Sequence, residues 1–213
     1  MCAEVANVSG AGLMLMSGDV TLGSIRSTRG VGAMIERLEA DLGEGPGSDA
    51  YHEDRPVLEP DLASPKVTRW VAFTAPAVTA GVRAVFGFPL RVGAIRLGAL
   101  ILYSDRPGRL TDHQHADALV VADLAAQTLL MLQANAPPGR LAAELEAGAD
   151  FQYVVHQATG MVAAQLEVGV GQALVRLRAH AFGNGRGLVE VAADVVGRKL
   201  RFDDLSGELD PLP

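Results

Sequence analysis

The chain of 213 residues has one cysteine, one tryptophan and few aromatic side chains, which make up 5% of the sequence. The single thiol, Cys2, excludes an internal disulfide and has no second cysteine to resolve a redox intermediate. The sequence lacks a run of about 18 apolar residues that would span a membrane, and it has no recognisable signal peptide or low-complexity tract. With a formal net charge of −7, the composition predicts a soluble, cytoplasmic protein with no membrane partner.

Residue clusters that carry catalysis are also scarce. His113 and His115 lie near Asp112 and Asp117, but a spacing of two residues on a helix points the imidazoles apart, which disfavours a metal site. The segment 52–54, His-Glu-Asp, is most simply a solvated loop. We therefore predict that the protein is not an enzyme and that it uses no metal or cofactor.

Charge is unevenly distributed along the chain. Residues 151–202 carry six basic and three acidic side chains, residues 1–150 carry 12 basic and 18 acidic ones, and residues 203–213 add four acidic ones. A locally basic segment in an acidic protein indicates a negatively charged partner, of which nucleic acid is the first candidate. The acidic tail, 203–213, is either solvent-facing chain or a segment that folds back on the arginines.

Apolar residues in the basic segment recur at helical spacing in three runs. The runs begin at Phe151, Val170 and Leu188, and glycines separate them. Each predicted helix is too short to be stable alone in water, so the three helices must bury their apolar faces together as a bundle. The outward faces of the first two carry hydrogen-bonding and cationic side chains, which either contact RNA or form an ordinary solvated surface.

Three stretches of this segment, 155–162 (VHQATGMV), 171–178 (GQALVRLR) and 186–192 (RGLVEVA), occur in an order and spacing that resemble an ANTAR domain. That family consists of three-helix, all-α RNA-binding modules that act in transcription antitermination. The resemblance implies that the partner is RNA, as a hairpin in a nascent transcript. The residues that it marks as RNA-binding are His156, Gln157, Thr159, Arg176, Arg178, His180, Asn184 and Arg186.

Two positions depart from the pattern of that family. Thr159 stands where Lys is frequent, and Gly185 stands where an Asn often precedes the basic pair, with Asn184 one step earlier. Both departures remove a group that contacts RNA in such a surface. The alternative interpretation is therefore a sensory or scaffold protein whose bundle mediates dimerisation and binds little RNA.

Alternation of apolar side chains marks strands in the N-terminal part. Two alternating runs flank the turn at 92–94, which predicts a β-hairpin. A second, shorter strand pair and two helices are predicted nearby, and together they indicate an α+β domain with an antiparallel sheet flanked by helices. The predicted strands are Val82–Leu90, Ile95–Tyr103, Gly12–Met16 and Val20–Ile25, and the predicted helices are Met34–Leu42 and Trp70–Ala80.

The stretches 42–47 (LGEGPG), 55–58 (RPVL), 81–90 (GVRAVFGFPL) and 97–100 (LGAL) resemble a GAF domain, a small-molecule-sensing relative of the PAS fold. The resemblance implies a pocket between the sheet and its covering helices, for an unidentified small-molecule ligand. Trp70, Phe73, Phe86 and Phe88 are the predicted apolar wall of that ligand-binding site. The alternative is that the four rings are filled core.

A predicted helix at 112–132 ends the GAF part and is apolar on more than one face. One face covers the sheet, and the other requires a partner, for which a second copy of the same helix is the simplest choice. Its 21 residues and polar start argue against a membrane span.

The predicted organisation is a GAF sensor domain at 1–134, a linker at 135–149, an ANTAR domain at 150–202 and an acidic tail at 203–213. This order is familiar in actinobacterial regulators. It implies a signal-responsive RNA-binding regulator of transcription antitermination, in which the GAF domain senses the signal and forms a homodimer.

Overall fold

The computed structural model describes residues 8–18, 20–27, 30–64, 68–134 and 149–202. The chain divides into two compact units, residues 1–149 and 150–213. The first unit contains β1 (Gly10–Ser17), β2 (Val20–Ser27), α1 (Val31–Leu42), α2 (Pro46–Glu53), β3 (Val57–Glu59), α3 (Val71–Thr79), β4 (Ala84–Val92), β5 (Ile95–Ser104) and α4 (Asp112–Ala134). The helices that follow are α5 (Ala149–Leu166), α6 (Val170–Gly183) and α7 (Leu188–Val196).

The five strands form one antiparallel sheet in the order β2-β1-β5-β4-β3. Strands β4 and β5 are the predicted hairpin, in which Val92 pairs with Ile95 and Gly93 adopts a φ of 59° in the turn. A glycine takes this left-handed conformation without the steric cost that a side chain would meet. The prediction of an α+β fold with an antiparallel sheet is confirmed for this unit.

Helices cover the sheet on both faces. Helices α1 to α3 lie on one face, where they share a buried cluster with Met14, Val85 and Ile101. Helix α4 lies on the other face, where its buried alanines pack against Phe86 and Phe88. Because both faces are covered, β4 and β5 are apolar at almost every position and do not alternate between apolar and polar residues.

The sequence-based prediction missed α2 and β3, and it assigned residues 52–54, at the end of α2, to a loop. Helix α2 has only eight residues, and its sequence, PGSDAYHE, contains no apolar repeat long enough to reveal a helix. Tertiary contact stabilises it instead, because α2 lies directly on β4. A Cβ atom added at Gly87 would overlap the carbonyl oxygen of Pro46.

Helix α4 is longer than predicted. It has 23 residues and, by length and composition alone, is apolar enough to cross a membrane, which corrects the sequence-based argument that it is too short and too polar. One face of the helix is buried against the sheet through Ala118, Ala122, Ala126 and Leu129. The spacing of these four residues is that of a single helical stripe, so the helix contributes directly to the core of the unit.

Helices α5 to α7 bury one apolar stripe each. The buried side chains are Val155, Ala158 and Val162 on α5, Ala173, Leu174, Leu177 and Ala181 on α6, and Leu188, Val191, Ala192 and Val195 on α7. After α7, the backbone N–H of Phe202 donates a hydrogen bond to Gln165, and its ring contacts His180. The predicted tail, and the predicted linker except for Ala149, lie outside the described residues.

Candidate functional site

The four aromatic residues predicted to line a ligand pocket do not form one wall. Trp70 and Phe73 belong to the cluster beneath α1 to α3, whereas Phe86 and Phe88 belong to the cluster beneath α4, on the opposite face of the sheet. All four are buried. The prediction of a shared wall is wrong because β4 directs Phe86 and Phe88 away from the face that contains Trp70. Trp70 and Phe73 remain together as buried members of the hydrophobic core between the sheet and α1 to α3.

Trp70 is held in a strained position by polar partners. Its φ of 55° is unusual for a bulky residue and is located just before α3. The indole Nε1–H donates to Asp49 Oδ2 at 2.9 Å, and the ring meets Phe73 edge-on with 6.0 Å between centroids. The Arg69 guanidinium lies over the indole and also binds Asp49. These contacts attach the start of α3 to α2.

A buried carboxylate lies at the N-terminus of α2. Glu39 is completely buried, and its Oε2 accepts hydrogen bonds from the backbone N–H groups of Gly47 at 2.9 Å and Ser48 at 3.0 Å. The other oxygen, Oε1, has no hydrogen-bond partner among the described residues. Burial raises the pKa of the Glu39 carboxyl to about 8, because the two N–H donors and the positive end of α2 only partly offset the loss of solvation.

A second carboxylate caps α3 in the same way. Glu44 Oε1 accepts hydrogen bonds from the backbone N–H groups of Ala72 at 2.7 Å and Phe73 at 2.9 Å. The residues that precede α2 and α3, Gly45 and Trp70, supply no capping side chain of their own. Residues from elsewhere in the chain therefore satisfy the free N–H groups at the N-termini of both helices.

Glu39 was missed at the sequence level, although one signal pointed to it. It follows Ile35 by four residues in an amphipathic helix, so it lies on the face that is directed toward the core. A carboxylate on such a face is costly to bury unless donors meet it. The donors come from α2, which the sequence pattern did not reveal.

In the second unit, some of the predicted RNA-binding residues are exposed and others are half-buried. Gln157, Arg176 and Asn184 are exposed, whereas His156, Arg178 and His180 are half-buried. Asn184 uses its side-chain amide to donate a hydrogen bond to the carbonyl oxygen of His180 at 2.8 Å, which ends α6. The exposed residues lie on α5, on α6 and in the turn that follows α6.

Thr159 does not belong to an exposed surface. It is buried, and its hydroxyl donates to the carbonyl oxygen of Val155 within α5 at 2.7 Å. This contact satisfies the hydroxyl locally, as is usual for a threonine inside a helix. The prediction that Thr159 contacts RNA is therefore wrong.

Arg186 is neutralised by two carboxylates of α7. Its Nε–H donates to Glu190 at 2.9 Å, and a terminal nitrogen donates to Asp194. These pairings raise the pKa of Arg186, and the guanidinium in turn lowers the pKa of the Asp194 carboxyl. Arg186, which is predicted to contact RNA, is therefore already paired with carboxylates of the protein.

The sequence profile of the GAF domain matches residues 1–129, which is more than half of the chain. The chain belongs to the GAF domain family. The match covers the sheet and most of α4, and the sheet with helices on both faces is therefore a GAF sensor module. A search of curated proteins finds no match to the chain.

Several solved structures are similar to the GAF unit. A domain assigned to a two-component sensor histidine kinase of Sinorhizobium meliloti shares 19% identity, with a TM-score of 0.50 over 62% of this chain and 85% of the other. A GAF domain/HD domain protein from Geobacter sulfurreducens shares 13% identity, with a TM-score of 0.48, and covers 64% of this chain and 89% of its own. A free methionine-R-sulfoxide reductase from Thermoplasma acidophilum shares 18% identity and has a TM-score of 0.44, with coverages of 58% and 80%.

The histidines that raised the question of a metal site lie at the start of α4 in the GAF unit. His113 pairs with Asp117 at 2.8 Å on an exposed surface, and His115 contacts the ring of Phe88. Within the described parts of the chain, no group of three His, Cys, Asp or Glu side chains is arranged to hold a metal ion.

Proposed function

We propose that the protein is a signal-responsive regulator in which the GAF module senses a signal and the C-terminal helices bind RNA in transcription antitermination. The observation that carries the RNA part is the charge of helix α6. It contains two arginines and one histidine, and it has no aspartate or glutamate, in a chain with a net charge of −7. Arg176 is exposed on this helix, where a phosphate group can reach it.

The turn after α6 supports the same proposal. Gly185 has a φ of 63°, a conformation that glycine and asparagine adopt more readily than other residues. The pattern of ANTAR domains often has an asparagine at this position. Because Gly185 satisfies the same backbone requirement, its presence is compatible with that fold, and only the side-chain amide is lost.

Binding of the full-length chain to hairpin RNAs, measured at two salt concentrations, tests the proposal directly. We expect the affinity to fall as salt rises, and the Arg176→Ala variant to bind more weakly with a salt slope smaller by about 0.7 to 0.9. Readthrough of a terminator in a purified transcription reaction then tests antitermination. An RNA affinity that changes neither with salt concentration nor in Arg176→Ala would contradict the proposal.

Removing one of the two carboxylate partners of Arg186 is expected to strengthen RNA binding. In Asp194→Asn the guanidinium keeps only Glu190 as a carboxylate partner, so its charge becomes more available to a phosphate. We expect a rise in affinity of about threefold to tenfold and a steeper salt dependence, measured by fluorescence anisotropy. The charge-matched control Asp123→Asn, on α4, should leave the affinity unchanged. Equal gains in both variants would mean that only net charge matters.

A second candidate function is a sensory or scaffold protein with little RNA binding. The burial of Thr159 and the paired state of Arg186 favour it, because two of the eight predicted RNA contacts are withdrawn. In this alternative, the second unit serves protein association only. The two functions predict different results, because a scaffold fails to bind hairpin RNA at low salt but still forms a homodimer.

The predicted homodimer through α4 is part of both candidates. Opposite its buried face, α4 exposes Val120, Leu124 and Met131, each more than half accessible and all on one side of the helix. We expect Leu124→Glu to shift the protein to monomers in light scattering, because a charge would be buried in the interface. Ile95→Glu is the matched control, since both side chains are 57% exposed. A dimer that survives Leu124→Glu contradicts this interface.

Three further proposals concern enzymatic activity, cellular location and the ligand of the GAF module. We regard the protein as a non-enzymatic cytoplasmic regulator, and the GAF ligand as a small molecule. The face of the sheet covered by α1 to α3 is the preferred place for it, since Trp70 and Phe73 line that side. Differential scanning calorimetry with candidate metabolites tests this proposal, because a ligand of the folded state raises the melting temperature.

A further inference from the structure

Phe182 is a large apolar side chain that the helical bundle does not bury. It lies in the last turn of α6, 57% of its surface is accessible, and the adjacent residue Ala181 is part of the core. More than half of the surface of Phe182 is in contact with water, so a partner can reach the ring. The turn 184–186, with its glycine at positive φ, follows immediately.

The charges around Phe182 indicate what kind of partner fits. One helical turn earlier is Arg178, and Arg176 is exposed farther along the same helix. Helix α4 offers a contrast, since its exposed apolar residues accompany three aspartates and no lysine or arginine. An exposed ring on a helix with only positive charges suits a partner that has negative charge and flat aromatic groups.

RNA has both properties. Proteins that recognise single-stranded loops stack unpaired bases on exposed aromatic side chains, while nearby arginines bind the phosphates. We propose that Phe182 is a base-stacking residue for an unpaired nucleotide of the RNA. This inference rests on the proposed RNA-binding function, and it places the recognised base on the exposed side of α6.

The test uses the full-length protein and a pool of hairpin RNAs that share one stem and carry randomised six-base loops. We expect Phe182→Ala to weaken binding about tenfold, whereas Phe182→Tyr, which keeps a stacking ring, retains most of the affinity. The salt slope should be unchanged in both variants, because no phosphate contact is removed. In Arg176→Ala, by contrast, the salt slope should become smaller, because a phosphate contact is removed.

Two further measurements separate stacking from a simple apolar contact. Val175→Ala trims another exposed residue on the same side of α6, 63% accessible, and should change RNA affinity less than twofold. In Phe182→Trp, the introduced indole should lose fluorescence when the looped hairpins bind, but not when heparin binds, since heparin has charge without bases.

The outcomes distinguish this inference from the function on which it rests. If the wild-type protein binds the hairpins and Phe182→Ala binds equally well, stacking is refuted while RNA binding stands. If the wild-type protein binds no hairpin at low salt, the RNA function itself fails. If Phe182→Ala and Val175→Ala both convert a dimer to monomers, the exposed side of α6 serves a second copy of the chain and the inference is overturned.

Discussion

Replacing Glu39 by glutamine is expected to remove most of the pH dependence of the stability of the GAF unit. The pKa of the Glu39 carboxyl is about 8 in the folded protein, raised from the value of 4.5 that an unperturbed glutamate has in an unfolded chain. The folded protein therefore retains a proton that the unfolded chain releases, and the free energy of unfolding falls as pH rises from about 4.5 to 8. Below this window the full stability is present, and above it the loss is complete.

The expected loss is on the order of 5 kcal/mol across the window, and Glu39→Gln should be more stable than the wild type by a similar amount at about pH 9. Glutamine keeps an oxygen for the N–H groups of Gly47 and Ser48 but carries no charge. Urea unfolding followed by the fluorescence of Trp70 provides the measurement. Trp70 is the only tryptophan, and its indole hydrogen-bonds to Asp49 on α2, close to the substituted residue.

Glu39→Ala is the control, since it removes the charge and the hydrogen-bond acceptor together. We expect it to be destabilised on both sides of the window, because the N–H groups at the start of α2 lose their partner. If the wild type and Glu39→Gln have the same flat profile between about pH 5 and 9, the carboxyl is not held in the buried, protonated state.

Alanine at Gly87 is expected to destabilise the GAF unit by about 3 kcal/mol or more. The new methyl group would overlap the carbonyl oxygen of Pro46, and both groups belong to the backbone or are fixed to it. The overlap is relieved only if α2 moves away from β4, which would disturb the hydrogen bonds that Glu39 makes. Thermal unfolding followed by Trp70 fluorescence measures the change.

Gly160→Ala is the comparison for the same substitution in an open position. Nothing lies within 4 Å of the added Cβ atom at this position in α5, so the variant should gain about 0.5 to 1 kcal/mol of helix stability. Circular dichroism of the helices records this gain. Similar stability of Gly87→Ala and the wild type would show that α2 does not pack closely against β4.

The sequence predicts the elements that have a long, regular apolar pattern. The helices of the second unit are predicted within a few residues of their bounds because their apolar residues recur at helical spacing. The hairpin of β4 and β5 is predicted from two apolar runs on either side of a glycine-bearing turn, and α4 from its long apolar run. Helix α2 and strand β3 are missed since their stability depends on contacts with β4. The side chains of Phe86 and Phe88 are assigned to the wrong face because alternation alone does not say which face a residue occupies.

The amino-acid sequence alone establishes an α+β GAF unit, and it marks a locally basic, helical segment after it. The α+β class and the basic segment follow from periodicity and composition, and the resemblance to a GAF domain follows from short sequence motifs. All of these are properties of the chain before it folds. Whether a polar side chain is exposed and unpaired, and so able to contact a partner molecule, depends in contrast on the folded structure. Folding buries Thr159, pairs Arg186 with Glu190 and Asp194, and brings Glu39 to the start of α2. The physical reason is that the burial of Thr159 depends on packing between helices. The partners of Arg186 and Glu39 lie four to nine residues away in sequence, but the hydrogen bonds form only once the helices and the turns before them are in place.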